Sequence, residues 1–303
     1  MTTVAAIDCG TNSIRLLILS ADGNGVAELA REVRLARLGQ GVDATGEFHP
    51  DALRRAFAVC EEYAGLIDEL GVDRTRFVAT SAARDVRNRQ VFLDGVRQRL
   101  GVEVAVISGD EEARLSSAGV LSGIAAPAPA LIFDIGGGST ELILVGDDTR
   151  VRRAVSLNVG AVRVRERFLH DDPPTPGQVA AARRFAGELL EGAGIDFAEV
   201  VTAVGVAGTV TSAAARVLGL AEYARAAIHG TVLSREQVAE TAQHWLTSPV
   251  AAIEQEPCMH PLRAGVIGGG ALILDEISAR TSAGAILVSE TDILDGIALE
   301  MLE

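Results

Sequence analysis

Lysine is absent from this 303-residue sequence, so all 27 of its strongly basic residues are arginine. The absence excludes a Walker-type phosphate loop, which needs a lysine, and catalysis through a lysine Schiff base. A bound anion would therefore be held by arginine, by backbone N–H groups or by a metal ion. Aromatic residues are also scarce, at 4% against 48% hydrophobic residues in all. Cores built from Ala, Val, Leu and Ile suit α/β layers with closely packed helices.

Cysteine and positive charge are both in short supply. The three cysteines, Cys9, Cys60 and Cys258, are too scattered for a metal motif or a disulfide framework, as expected in a reducing cytoplasm. The net charge of −14 does not favour binding to nucleic acid. The N-terminus lacks the charged region of a signal peptide, and no apolar run is long enough to span a bilayer. We therefore expect a cytoplasmic protein with neither nucleic acid nor a membrane as its partner.

The order of predicted elements indicates two domains of one α/β fold class. Residues 1–124 show a βββαβαβα order, which is typical of an RNase H-like unit. The run AAPAPA at 125–130 is the predicted linker, and residues 125–291 are predicted to form a second RNase H-like domain. A C-terminal helix at about 292–303 is expected to pack on the first domain, and a cleft is expected between the domains. The elements behind this prediction are strands at 4–8, 13–20, 26–38, 76–80, 102–107, 130–135, 139–145, 151–158, 199–204 and 285–289, and helices from Pro50 to Gly71, at about 85–100, from 109, from about 209 and at 265–277.

Two glycine-rich segments repeat without a gap, IDCGTNSIRL at 7–16 and FDIGGGSTEL at 133–142. A repeat this long indicates two related domains rather than a solenoid. Backbone N–H groups of a Gly/Ser/Thr turn bind anions, and Asp8 and Asp134, each at the end of a strand, are suited to orient Mg²⁺ and its water. A plain hairpin turn is the alternative, and it is less favoured because the pattern occurs twice. Facing each other across the cleft, the hairpins would grip one phosphate chain.

Three other segments are candidates for phosphate chemistry. A helix opens with three consecutive acids, and because Asp110 alone would suffice as its cap, one of the others is a candidate general base. Arg84 lies nearest a strand end, where its planar fork suits phosphate oxygens. The segment GVAGT, with Gly208 and Thr209, follows a strand and opens a helix, which suits an anion, although such turns are often purely structural.

Two further matches are rejected. Cys9 and Arg15 have the C-x5-R spacing of cysteine phosphatases, but that chemistry needs the loop to lead into a helix. A strand pattern follows Cys9 instead, so we expect a buried and inert thiol. His170 and Asp171 resemble a metal pair, but they lie in a proline-rich loop without companion ligands and are interpreted as surface residues.

Taken in order, these segments resemble the exopolyphosphatase/guanosine pentaphosphate phosphohydrolase family. That family belongs to the actin, sugar-kinase and chaperone-ATPase superfamily, so the resemblance implies two RNase H-like (actin-like ATPase) domains. It is also compatible with a homodimer. The segments that carry the resemblance are DCGTNSIRL, ATSAARDVRN, SGDEEARL, DIGGGSTEL and GVAGT, followed by HPLRAGVIGGGALIL and SETDILDGIALEML.

The resemblance assigns a role to each candidate residue. It implies Glu112 as the catalytic base, with Asp134 and Glu141 as catalytic residues that also hold a divalent cation, expected to be Mg²⁺. Asp8 is the third expected metal ligand. The implied phosphate-binding residues are Gly10, Thr11, Asn12, Ser13 and Arg15 in the first hairpin, Gly136, Gly137, Gly138, Ser139 and Thr140 in the second, and Arg84, Gly208 and Thr209 elsewhere.

The implied reaction is hydrolysis of the terminal phosphoanhydride of inorganic polyphosphate, which releases orthophosphate. Guanosine pentaphosphate is an alternative substrate, because the same motifs serve both. A polyphosphate- or alarmone-binding regulator without turnover is less expected, because the three catalytic residues are intact, and a superfamily ATPase or sugar kinase is a fourth alternative. Longer family members carry a C-terminal HD-type helical domain that this sequence does not contain, so short chains are the expected substrate.

Overall fold

The structure, a computed structural model, describes residues 2–23, 25–84, 86–148 and 150–303. The chain divides into two compact units, the first made of residues 1–122 and 292–303 and the second of residues 123–291. Each unit contains one mixed sheet. The cleft expected from the sequence concerns the placement of the two units and stays a prediction. Within the described ranges, no helix combines the length and apolar character needed to cross a lipid bilayer.

The sheet of the first unit has the strand order β3-β2-β1-β4-β5. The first three strands form an antiparallel meander, and β4 and β5 extend it in parallel. Its strands are β1 Thr2–Cys9, β2 Ile14–Asp22, β3 Gly25–Arg34, β4 Arg74–Ala79 and β5 Val104–Val106, and its helices are α1 Val42–Thr45, α2 Pro50–Glu69, α3 Ser81–Arg84, α4 Arg89–Leu100, α5 Gly109–Gly123 and, from the C-terminus, α13 Ile293–Leu302.

The second unit repeats this plan with one additional edge strand. Its sheet order is β10-β11-β9-β6-β7-β8, in which β6, β7 and β8 form the antiparallel meander and β9 and β11 run parallel to β6. The strands are β6 Ala130–Ile135, β7 Thr140–Val145, β8 Val151–Leu157, β9 Thr202–Val206, β10 Val232–Ser234 and β11 Ala285–Val288, and the helices are α6 Ala161–Arg167, α7 Pro176–Glu191, α8 Ala207–Val217, α9 Arg225–Ile228, α10 Arg235–Thr247, α11 Val250–Ile253 and α12 Pro261–Arg280.

Strand β1 divides its side chains between two cores. Successive residues of a strand point to opposite faces of the sheet. Ile7 and Cys9 enter the core shared with α2 and α4, whereas Val4 and Ala6 enter the core shared with α13. Asp8 continues the second series, so its carboxylate lies on the face of the sheet that α13 covers.

The glycine-rich helix predicted at 265–277 is confirmed as part of α12. A Cβ on Gly269 would lie 2.6 Å from the Ala161 carbonyl oxygen, and one on Gly270 would lie 2.3 Å from Thr209 Oγ1. Both distances are shorter than a real Cβ contact. The glycines are therefore needed for the close approach of α12 to α6 and α8.

One predicted strand boundary in the first unit is wrong, and one helix begins later than predicted. The strand predicted at 26–38 ends at Arg34, because the chain then turns to pack on the first glycine hairpin. The helix predicted at about 85–100 begins at Arg89. Before it, the Asn88 side chain bonds to both backbone groups of Phe48, at 2.8 and 3.0 Å, which fixes Asn88 outside the helix. The predicted start of this helix at 85 lies outside the described residues.

Candidate phosphate-binding hairpins and acidic helix

The sequence repeat forms two hairpins of the same backbone geometry. In the first, Asp8 pairs with Arg15 across β1 and β2; in the second, Asp134 pairs with Glu141 across β6 and β7. One hydrogen bond closes each turn, from the first glycine N–H to the serine carbonyl, and its length is 3.0 Å in both. The alignment of the two segments is therefore a structural repeat.

In the first hairpin, Arg15 joins two buried carboxylates. Its Nε and Nη2 donate to Asp8 Oδ2 at 3.0 and 2.5 Å, and its Nη1 donates to Asp292 Oδ2. Burial raises the pKa of Asp8 above its ordinary value, and the adjacent guanidinium opposes that shift. Asp8 Oδ1 is buried and finds no hydrogen-bond partner in the part of the chain that the structure describes. This is the oxygen with capacity for a water molecule or a cation.

The turn of the first hairpin is fixed from outside. Thr11 Oγ1 lies 3.1 Å from Ser81 Oγ, and the Thr11 carbonyl accepts from Gly39 N–H at 2.8 Å. The Asn12 carbonyl accepts from Arg37 N–H at 2.8 Å. The turn is thereby held between α3 and the segment that follows β3. Ser81 belongs to the ATSAAR segment, but nothing local in the sequence pairs it with Thr11.

The second hairpin places two carboxylates side by side. Asp134 and Glu141 lie directly opposite each other, so their side chains share one face of the sheet. Glu141 is buried, and its Oε1 accepts a hydrogen bond of 2.7 Å from Ser156 Oγ on the next strand. Thr140, predicted to bind phosphate, is fully buried and donates its hydroxyl to the Val159 carbonyl at 2.6 Å.

The carbonyl groups of the second turn are bound by α6. N–H groups at the start of α6 donate at 2.9 Å to the carbonyls of Gly136 and Gly137, and Arg163 Nε donates at 2.8 Å to Gly138. Because a peptide unit is planar, this directs the N–H groups of the turn away from α6. A Cβ on Gly160 would lie 2.5 Å from the Gly137 carbonyl oxygen, so glycine is needed there. The sequence pattern did not reveal Arg163.

The acidic start of α5 separates its three acids by environment. Ser108 Oγ accepts from Glu111 N–H at 3.2 Å, so Ser108 caps the helix and the role considered for Asp110 is wrong. Asp110 is exposed, and Glu111 pairs with Arg114 at the surface. Glu112 is only 7% exposed and contacts Arg84 through Oε2. The proposed base and the proposed phosphate-binding arginine are therefore brought together.

The GVAGT segment connects β9 to α8, as predicted. A Cβ on Gly208 would lie 2.7 Å from the guanidinium of Arg263, whose Nη1 donates to Ser212 Oγ at 3.0 Å. Thr209 packs against Gly270 of α12. Arg263 lies in the HPLRAG segment of the tail, and only the family resemblance, not its local pattern, marked that segment.

The rejected matches lie where the sequence placed them. Cys9 is buried, and desolvation raises the pKa of its thiol well above the ordinary value, so the reactive thiolate is disfavoured. His170 and Asp171 are both exposed.

The pair of carboxylates formed by Asp134 and Glu141 is suited to a hard cation. Among the described residues, no group of three or more His, Cys, Asp and Glu side chains is arranged to hold a metal. Mg²⁺, however, is usually held by one or two carboxylates and completes its shell with water and phosphate oxygens. Two adjacent carboxylates on one face of the second sheet suit that chemistry.

The two units, each led by a glycine-rich hairpin, define a phosphate-handling protein of the two-domain actin-like ATPase fold, and the predicted fold class is confirmed. The model of the Ppx/GppA phosphatase family matches residues 17–303, and the chain belongs to this family. It is 43% identical to exopolyphosphatase 2 of Mycobacterium tuberculosis over 99% of both chains. Among solved structures, an exopolyphosphatase from Cytophaga hutchinsonii is 26% identical with a TM-score of 0.92, over 99% of this chain and 98% of the other. A Ppx/GppA family member from Aquifex aeolicus is 29% identical with a TM-score of 0.83, over 99% and 97%.

Proposed function

We propose that the protein is an exopolyphosphatase, which hydrolyses the terminal phosphoanhydride of inorganic polyphosphate and releases orthophosphate. The observation that carries the proposal is the 43% identity to an exopolyphosphatase over 99% of both chains. The residues of both hairpins and of α5 supply the groups that this reaction needs, since phosphoryl transfer depends mainly on positioning and on charge stabilisation.

Glu112 is the proposed general base. Its carboxylate is buried at the first turn of α5 and contacts Arg84. A phosphate group that reaches Arg84 offers the guanidinium a bidentate acceptor, which competes with Glu112. Glu112 then accepts a proton from water as the water oxygen bonds to the terminal phosphorus. The bond from that phosphorus to the bridging oxygen breaks, and its electron pair leaves with the shortened chain.

The remaining groups offset charge on the phosphate oxygens. We propose that the N–H groups of the two glycine turns and the Arg84 guanidinium bind these oxygens. Asp134 and Glu141 would hold a divalent cation, expected to be Mg²⁺, with Ser156 fixing the orientation of Glu141. When bound, such an ion neutralises charge that develops on the transferred group. In the first unit, Asp8 Oδ1 has no hydrogen-bond partner among the described residues and is suited to accept from a water molecule.

Phosphate release in the presence of Mg²⁺ tests the proposal. Polyphosphates of several defined lengths, guanosine pentaphosphate and ATP are compared at equal concentration of terminal phosphate. We expect orthophosphate from polyphosphate and none from ATP, and the length series tests the expected preference for short chains. A higher kcat/KM on guanosine pentaphosphate would assign the alternative substrate, and release from ATP alone would assign a nucleotide hydrolase. Binding of polyphosphate without release would identify a regulator.

Two adjacent acids provide a matched pair of variants for the base. Glu112→Gln should lower kcat about 10²-fold or more while polyphosphate still binds, because the amide keeps the shape of the side chain but cannot accept the proton. Glu111→Gln removes the same charge one residue away, where the side chain pairs with Arg114 at the surface, and should leave kcat nearly unchanged. Equal kcat in the two variants would contradict the assignment of Glu112.

We also propose a cytoplasmic location and a homodimer. The three cysteines are free, and two of them are buried, which suits a reducing compartment. The family resemblance is the support for the dimer. Sedimentation equilibrium at micromolar concentration measures the oligomeric state directly.

A further inference from the structure

A buried chain of ion pairs connects the start of α13 to the first hairpin. Asp292 caps α13, since its Oδ1 accepts from Leu294 N–H at 2.9 Å. Its other oxygen, Oδ2, binds Arg15 Nη1, and Arg15 binds Asp8 through Nε and Nη2. One guanidinium thus joins two carboxylates that lie almost at opposite ends of the sequence.

The geometry of this chain determines how the Asp8 carboxylate is presented. The two hydrogen bonds that Arg15 donates to Asp8 go to the same oxygen, Oδ2, and so Oδ1 is turned away from the guanidinium. The guanidinium is planar and rigid, so fixing Nη1 on Asp292 also fixes the direction of Nε and Nη2. Relative exposures of 3% for Asp8 and 7% for Asp292 show that both carboxylates are largely removed from solvent.

Close packing holds α13 where this chain requires it. A Cβ on Gly119 of α5 would lie 1.8 Å from the Asp292 carbonyl oxygen, and a Cβ on Gly296 would lie 2.0 Å from the Leu115 carbonyl oxygen. The two helices therefore touch at their backbones. Apolar residues of α13, among them Ile297, complete the core on that face of the sheet. Asp292 is consequently a fixed point rather than a mobile surface acid.

We propose that Asp292 is a positioning residue of the first phosphate hairpin. Asp292 fixes Arg15, and Arg15 in turn orients the Asp8 carboxylate. Asp8 Oδ1 then accepts a hydrogen bond from a water molecule of the phosphate bound at the first hairpin. Arg15 is then a link between carboxylates rather than a direct phosphate ligand. The kinetic consequence rests on the proposed function, whereas the orientation of Asp8 can be measured without it.

The cap and the positioning role of Asp292 can be separated by substitution. Asn and Ser are as effective as Asp at an N-cap, so Asp292→Asn and Asp292→Ser should keep α13 capped. Neither supplies a carboxylate oxygen to Arg15. Asp295→Asn is the matched control, because it removes the same charge from the first turn of α13 and breaks the pair with Arg31, while its amide oxygen can still accept from Asp292 N–H.

Kinetics with polyphosphate give the first readout. Asp292→Asn and Asp292→Ser should each lower kcat on the order of 10- to 100-fold with a smaller change in KM, the range typical of residues that orient a ligand-binding group. Asp295→Asn should stay within about 2-fold of the wild type, in line with a role in the helix alone. Asp8→Asn and the double variant Asp8→Asn/Asp292→Asn should have equal kcat, because Asp292 acts through Asp8. A further loss in the double variant, as large as that of Asp292→Asn alone, would overturn the proposal.

A crystal structure of the Asp292→Asn protein gives the second readout. We expect Arg15 to rotate and the Asp8 carboxylate to change direction, with α13 still in place. An unchanged Arg15 and Asp8 would overturn the inference, whatever the activity. If the wild-type protein releases phosphate from no substrate, the proposed function fails, and this structural comparison still decides the role of Asp292. Should the Asn variant not fold, the Ser variant provides the same comparison.

Discussion

The two glycine-rich hairpins share one backbone geometry but differ in the charges that face each other across the strands. At matching positions the first pairs Asp8 with Arg15, and the second pairs Asp134 with Glu141. Opposite charges facing each other across strands are stabilising, and like charges are destabilising. The first hairpin therefore neutralises its aspartate within the fold, whereas the second concentrates negative charge that a cation can offset. A single position, Arg15 in one hairpin and Glu141 in the other, therefore distinguishes a charge-neutralised aspartate from a candidate metal site.

The two hairpins also differ in what supports them. The first is supported from a distance, because Arg15 continues to Asp292 on the C-terminal helix. The second is supported by its neighbour in the sheet, where Ser156 of β8 faces Glu141 and donates to it. Functional groups are often held at some expense of stability. We therefore expect the functional residues of the second hairpin, but not those of the first, to lower the stability of the fold. Substitutions in each hairpin test this difference.

Arg15→Gln should have the largest effect on stability. It leaves the carboxylates of Asp8 and Asp292 buried without their shared counterion, and breaking a buried pair in this way typically destabilises a protein by about 3–5 kcal/mol. Urea unfolding of the variant and the wild type measures the difference. Arg34→Gln is the control, because its pairs with Glu32 and Glu62 are exposed. Equal unfolding free energies for the two variants would contradict the claim that the buried pairs of Arg15 stabilise the first hairpin.

Glu141→Gln should reverse the pattern by lowering activity without lowering stability. The amide keeps an acceptor for Ser156 but removes one of two adjacent negative charges. We expect kcat to fall about 10²-fold, since an ion held by Asp134 alone loses charge stabilisation in the transition state. The melting temperature should stay equal or rise. Titration of kcat against Mg²⁺ measures the loss of activity, and thermal unfolding measures the change in stability. A fall in stability as large as that of Arg15→Gln would contradict the interpretation.

The contrast between the hairpins shows what the sequence could and could not predict. Alignment of the repeat placed both turns and both aspartates correctly, because a turn and its strands are local. Arg15 and Glu141 were also aligned, but the role of each depends on contacts with residues distant in sequence. The chain of Asp8, Arg15 and Asp292 joins residues 277 positions apart, and no periodicity encodes such a contact. Ser156 was missed for the same reason, because it lies on a strand with no motif of its own.

The choice of Glu112 illustrates the same limit within one helix. Three consecutive acids are equivalent in composition, and the family resemblance alone selected the third. The fold separates them physically, because the helical turn exposes Asp110, pairs Glu111 at the surface and buries Glu112 against Arg84. The helix cap was misassigned because Ser108, just before the acids, competes for the same role.

Ser156→Ala should have an intermediate effect that sharpens the account of the second hairpin. The variant loses the 2.7 Å hydrogen bond to Glu141, and such a bond contributes about 1 kcal/mol. We expect the apparent affinity for Mg²⁺ to weaken about 10-fold, the lower end for residues that orient a metal ligand. In the Glu141→Gln background the same change should have little further effect. Independent, additive losses would show that Ser156 does not act through Glu141.

The smallest effect is expected at an exposed network of the first unit, which contrasts with the buried pairs of Arg15. Arg114 and Arg76 both bridge Glu111 of α5 and Glu300 of α13. Hydrogen bonds from Arg114 lower the pKa of Glu111, and hydrogen bonds from Arg76 and Arg114 lower that of Glu300. A carboxyl whose pKa is lowered by folding contributes stability above its ordinary pKa and loses it as pH falls through the lowered value.

Arg114→Gln should therefore reduce the unfolding free energy by less than about 1 kcal/mol at neutral pH, because these side chains are partly solvated. The difference from wild type should shrink as pH falls through the lowered pKa values of the two glutamates, and it should also shrink in high salt. The Arg15→Gln difference should persist in high salt, since its partners are buried. Urea unfolding at two salt concentrations measures both variants. A salt-insensitive loss in Arg114→Gln would mean that this network shares the buried character of the first hairpin.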